Sequence, residues 1–280
     1  MTTPTQQAAA QERDAAVAPA ALALAAAWSE LHRAQLATIR ALEEQRADRV
    51  RGATERLRRT LQTFLTAVAA FDRAARAVAE KWAAQDLPLL YRDGALAAIE
   101  RTFHRTQRTR RPFAWTDPHQ AAVTALSAQF YADLIARIQE AVRRAQAFVR
   151  AAQDQARTLP GIQRQQLLDD HGLETVVYRN QAKHPVTAWA TAALGAQATT
   201  VTNTAALTYG RVDLEALWFE CTDGRECGFT GHDDLDRATA TIRSAEDAEM
   251  WPVAHFGCIR TWTPRPDLNN APDLESGADL

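Results

Sequence analysis

The chain has 280 residues, a net charge of −2 and 46% hydrophobic residues, enough for one or two domains with a sizeable buried core. So balanced a charge gives no global attraction to nucleic acid or to an anionic membrane. Three cysteines are too few for a disulfide framework, so an intracellular assembly environment is expected.

Of the 32 basic residues only Lys81 and Lys183 are lysine. Arginine favours planar, bidentate contacts, although a GC-rich genome produces the same bias. The apolar stretch Ala15–Trp28 follows Glu12, Arg13 and Asp14 and is shorter than a membrane span. It is read as the start of a helix, in a chain that is soluble, unprocessed and without a membrane partner.

Residues 1–18 lack apolar periodicity and are expected to form a mobile arm. From Pro19 to Gln85 apolar residues recur at three- and four-residue spacings, Trp28, Phe64, Phe71 and Trp82 among them, which predicts one very long helix or two consecutive ones. The stripe weakens at Gln35 and Arg46, and Gly52 is a candidate break. These four aromatic side chains are candidates for a face that docks a partner helix. Leu87-Pro88 is expected to end the element. A shorter helix follows over Asp93–Thr106.

That helix leads into a basic run, Arg101, Arg105, Arg108, Arg110 and Arg111, with Phe103, Phe113 and Trp115 as aromatic neighbours. Arginines beside aromatic rings can grip a nucleic-acid backbone or an acidic partner; they also suit a helix C-terminus followed by a solvated linker. Thr116 or Asp117 with Pro118 opens a helix that should run to Arg157, stopped by Leu159-Pro160-Gly161. Residues 161–184 read as irregular or only briefly helical. Pro185 starts another helix, expected to close at Gly210.

After Gly210 the pattern changes. LEALWFEC reads as a strand, Thr222-Asp223-Gly224-Arg225 as a hairpin turn, Asp233–Glu249 as loop with a short helix, and Trp251–Thr263 as a final strand. Composition beyond Pro264 predicts a disordered tail. The expected fold is therefore mainly α, with long amphipathic helices followed by a small C-terminal α+β, hairpin-containing, Cys/His-rich module. Its domains are an arm (1–18), an elongated helical region (19–210), the module (211–266) and a tail (267–280).

All three cysteines lie in that module, in two pairs with histidine: Cys227-x4-His232 and His255-x2-Cys258. Thiolate and imidazole together suit tetrahedral zinc, with Cys227, His232, His255 and Cys258 as candidate ligands. A Cys227–Cys258 disulfide and plain burial of the thiols are the other readings. A nucleophilic Cys–His pair needs an electropositive setting, whereas Asp223, Glu226, Asp233, Asp234 and Asp236 make this one acidic. Phosphate-loop, dinucleotide-binding, HExxH and GxSxG patterns do not occur.

The segments VTNTAALTYGRVDLEALWFECTDGRECGFTGHDD and WPVAHFGCIRTWTPRPD resemble the phage minor head proteins of the Mu F-like, head-morphogenesis family, in particular its actinobacterial-phage members. Trp218, Asp223-Gly224, Cys227, Pro252, His255 and Cys258 stand at the positions of that pattern, and FAWTDPHQAAVTALSAQFYADLIARIQEA is similar to the family's long-helix region. The chain departs from it at Thr230 and Arg260, where many relatives carry cysteine; His232 is the substitute. The resemblance implies a structural, non-enzymatic virion component in several copies per particle. It would associate with the portal protein and with the major capsid or scaffold protein at the capsid interior, assemble in the host cytoplasm, and support assembly or DNA delivery. A DNA-contacting module built on the Arg101–Arg111 run is the alternative, and a cysteine-dependent or toxin-like enzyme a further one.

Overall fold

The computed structural model describes residues 4–47, 53–108, 110–157, 164–178, 180–231, 235–271 and 274–279. Helix α1 spans Pro4–Ala47 and α2 Ala53–Lys81; the π-helical turn Trp82–Asp86 then leads into α3, Leu87–Thr106. α4 covers Asp117–Arg157 and α5 Arg164–His171, followed by strands β1 (Thr175–Val177) and β2 (Lys183–Pro185) and by α6 (Val186–Asp213). The C-terminal part consists of β3 (Trp218–Thr222), β4 (Thr241–Ser244), α7 (Ala245–Met250) and β5 (Thr261–Pro264). The protein is thus mostly helical, with small antiparallel sheets.

The chain folds into two compact units that interleave in sequence. One holds Met1–Pro19, Trp82–Phe130 and Ala192–Leu280; the other holds Ala20–Lys81 and Tyr131–Thr191. This partition differs from the expected arm, shaft, module and tail. Helix α1 begins at Pro4, not Pro19, because a Gln/Ala-rich segment has high helix propensity even without an apolar stripe. Pro19 sits inside α1, where it lacks the N–H that would bond Ala15, and the boundary between the units falls there.

In the second unit, the Trp28 and Phe71 rings meet at 4.6 Å. In one continuous helix their 43-residue separation would place them about 65 Å apart, so α2 folds back on α1. Residues 48–52, with the candidate break Gly52, lie outside the described residues. α2 buries Leu57, Leu61, Phe64, Val68, Phe71, Ala75 and Ala79, a three- and four-residue alternation on one face. Phe64 packs edge-on against Phe148 of α4, and Trp28 against Trp189 of α6. Gln35 interrupts the α1 stripe yet is fully buried. Its amide donates to His171 O at 2.7 Å and accepts from Leu173 N–H at 3.1 Å. The segment expected to be irregular or only briefly helical holds the short helix α5 and also the β1–β2 pair, registered Val176 to His184.

In the first unit, Pro88 does not end the helical run. A proline clashes with the carbonyl four residues back, and the π turn before α3 widens the helix at that point. Gly94 of α3 allows a close crossing with α6: a Cβ there would come within 2.6 Å of the Thr202 backbone. α6 runs past Gly210 to Asp213, so Gly210 does not close it. Its missing Cβ makes room for the Phe219 ring of β3, which any side chain there would strike.

The sheet order is β4-β3-β5, antiparallel throughout. β3 alternates as read from the sequence, with Phe219 and Cys221 inward. Its partner β4 begins only at Thr241, so Asp223-Gly224 is not a tight hairpin; it bends the chain toward Cys227, whose N–H donates to Gly224 O at 3.1 Å. The tail is also ordered in part. Gly277 N–H donates to Ile242 O at 2.7 Å and Ile242 N–H to Ala278 O at 2.9 Å, covering the β4 edge.

Candidate Cys and His site

Two turns bring Cys227 and His255 together. Asp223-Gly224 delivers Cys227, and a Cβ at Gly224 would meet Cys227 Sγ at 2.9 Å, so glycine permits the approach. In the second turn Cys258 N–H donates to His255 O at 3.2 Å, with Gly257 at φ +77°, a left-handed conformation that glycine adopts without strain. Cys227 Sγ then lies 3.4 Å from His255 Nε2. His255 Nδ1 is 2.7 Å from Phe256 O, a carbonyl that only accepts, so Nδ1 carries the proton and Nε2 presents its lone pair to the sulfur.

Cys258 is buried, its sulfur 3.6 Å from Asp223 Oδ2. That carboxylate is itself fully enclosed and accepts from Arg260 Nε at 2.8 Å. Three further Arg260 hydrogens go to the carbonyls of Phe229 (3.0 Å), Trp251 (3.1 Å) and Gly228 (2.8 Å). Asn203 of α6 ties the same loop down through Pro252 O (2.8 Å) and Arg260 O (3.0 Å). Arg260, which the sequence pattern marks only as a departure, is the hub of this end of the molecule.

The electrostatics match an acidic, sheltered corner. Burial pushes the Cys227 thiol above its ordinary range, and the charge and hydrogen bond of Asp223 push it further. Burial raises Cys221 strongly; it sits on the inner face of β3, away from either turn. All three cysteines are free thiols.

Zinc at about 2.3 Å from sulfur and about 2.0 Å from nitrogen places tetrahedral ligands about 3.5 Å from one another, close to the Cys227–His255 separation. Donor types and imidazole orientation fit such an ion, since a histidine ligand usually donates its other N–H to a carbonyl or carboxylate. Among the described residues, no group of three or more His, Cys, Asp or Glu side chains is gathered closely enough to hold a metal. His232, the fourth candidate, lies outside the described residues.

The other sequence candidates have different places. Trp28, Phe64, Phe71 and Trp82 are at most 3% exposed, so they are interior side chains and not an accessible docking face. Trp82 Nε1–H donates to Gln197 Oε1 at 2.8 Å, with both groups buried. The basic run is largely engaged within the chain. Arg101 donates to Trp262 O at 2.9 Å, Arg105 pairs with Glu220 at 2.8 Å, and Arg110 pairs with Glu100 at 2.7 Å while lying over the Phe103 ring. Arg111 donates to Asp213 O. Arg108, Arg110 and Arg111 line one cavity beside Tyr209.

The structure also holds a buried polar chain that sequence reasoning missed. Tyr91 O–H donates to His119 Nδ1 at 2.9 Å, and His119 Nε2–H donates to Asp213 Oδ2 at 2.8 Å. It joins α3, the first turn of α4 and the end of α6. Its signal in the sequence is slight, a histidine two residues after an N-cap candidate.

No family model, curated protein or solved structure matches this chain.

Proposed function

We propose that the chain is a structural minor head protein of a tailed phage, of the head-morphogenesis type, acting without catalysis beside the portal. The observation that carries this reading is the meeting of the two halves of the C-terminal motif. Cys227, set by the Asp223-Gly224 turn, reaches His255 of the His-x2-Cys turn at 3.4 Å. Two of the residues that carry the family resemblance thus lie in contact, which supports the reading. The raised thiols of Cys227 and Cys221 support a structural role, because nucleophilic cysteines need a lowered pKa.

In this reading the helices dock on the portal protein and on the major capsid or scaffold protein, next to the packaged DNA. Several copies enter each particle in the host cytoplasm and remain in the virion at the capsid interior. Cys227, His232, His255 and Cys258 would hold zinc, which would supply a cross-link that stabilises a small module with a thin core.

Quantitative mass spectrometry of purified particles tests the role. The chain is expected in a few copies per portal; particles that carry portal but lack it would overturn the reading. Elemental analysis tests the metal separately. One zinc per chain, lost in Cys258→Ser, is the expected outcome, and protein without stoichiometric zinc removes the metal while leaving the virion role standing.

A further inference from the structure

Where α1, α3, α6 and β5 come together, a cavity of about 90 Å³ is bordered by Arg13, Asp93, Arg101, Thr202, Asn203 and Thr261. Two polar atoms of residues that border it, both shielded from water, lack partners. Arg101 Nε is shielded from water and donates to nothing, and Thr261, only 7% exposed, has an Oγ1 with no hydrogen-bond partner. They come from different elements, α3 and β5. Arg13 of α1 borders the same space, its guanidinium 3.4 Å from Thr199 Oγ1.

Neither guanidinium has a carboxylate ion-pair partner among the described residues. Asp93 borders the cavity but pairs with its neighbour Arg92 at 3.0 Å. Burial first, and then the nearby Arg13 charge, lower Arg101 to about 10. A buried cation with an unmatched donor beside a second, partly buried guanidinium is costly unless an anion sits between them. An oxyanion accepts from guanidinium and hydroxyl groups at once, and such charge-assisted bonds are the strong ones.

We propose that Arg13, Arg101 and Thr261 form a binding site for a small tetrahedral oxyanion of the phosphate or sulfate class. The proposal does not rest on the virion reading. The anion neutralises the guanidinium pair and takes up the free donors of Arg101 Nε and Thr261 Oγ1. Its effect is to fasten the first turns of α1 to α3 and β5.

Titration calorimetry of the full chain with inorganic phosphate, against chloride at matched ionic strength, tests the proposal. One saturable site per chain is expected, with affinity falling about tenfold in Arg13→Gln and about fivefold in Thr261→Val. Arg101 is too deeply buried for its replacement to leave folding untouched. The near-isosteric Thr261→Val and the peripheral Arg13→Gln keep the test sound, with circular dichroism confirming that both are folded. No saturable phosphate binding by the folded wild-type chain, or an affinity unchanged in both variants, would overturn the site.

Discussion

Arg260 Nε and Asp223 Oδ2 are 2.8 Å apart, and neither side chain reaches solvent. An ion pair so enclosed stabilises the fold only if the other hydrogen-bonding positions are filled. Here the guanidinium also serves three carbonyls, those of Gly228, Phe229 and Trp251. Arg260→Ala therefore strands a buried carboxylate and three acceptors, and is expected to cost about 3–5 kcal/mol. Asp223→Asn keeps an acceptor for Arg260 Nε and should cost less. Urea titrations followed by tryptophan fluorescence give both values, and equal costs would contradict the hub.

Two glycines separate packing from propensity. Gly94→Ala drives a Cβ to within 2.6 Å of the Thr202 backbone, which cannot swing aside as a side chain can. About 3 kcal/mol of stability should be lost, at the upper end for overpacked sites. Gly195, in α6, faces open space, and a Cβ there would meet nothing within 4 Å. Gly195→Ala should stabilise by about 0.4–1 kcal/mol through a less flexible unfolded chain. Thermal denaturation of the two variants beside wild type checks opposite signs.

Tyr91 and Tyr209 give the fold an alkaline limit. Tyr91 is raised to about 12, by burial first and by the Asp213 charge, against a hydrogen bond from Thr208. Tyr209 is raised to about 12 by burial first, then by Asp213, against Arg111. The folded protein holds both protons more tightly than the unfolded chain, whose tyrosines titrate near 10. Their contribution is whole below pH 10 and is lost as pH rises to 12, by up to about 1.4 kcal/mol per pH unit for each. Absorbance at alkaline pH should show two of the four tyrosines titrating late, and unfolding midpoints should fall over that range.

The helices are legible in the sequence because their apolar spacing is local: α2 buries the stripe that its residues display. What the stripe covers is not legible. Trp28, Phe64 and Phe71 fit a partner's helix as well as their own chain, and only the return of α2 onto α1 puts Trp28 against Phe71. β4 gives no sequence signal because it does not alternate. Thr241, Ile242 and Arg243 are all buried, the arginine over the Phe229 ring at 3.9 Å and bonded to Asp236 at 2.9 Å. The Cys227–His255 contact follows from motif spacing. Its support, Asp223 with Arg260, does not, since a charged pair reads as surface until the chain closes around it.

Thiol chemistry provides the last prediction. Burial raises Cys221 on the inner face of β3, and a raised thiol out of solvent is inert. Cys227 is half-buried and raised by burial and then by Asp223, so alkylation near neutral pH should be slow despite its access. Asp223→Asn removes the neighbouring charge and should speed labelling of Cys227 while leaving Cys221 unlabelled, as read by peptide mass mapping after iodoacetamide treatment of the folded chain. Rapid labelling of wild-type Cys227 at neutral pH would mean a thiolate stabilised by His255, and would move the corner from a structural role toward a reactive one.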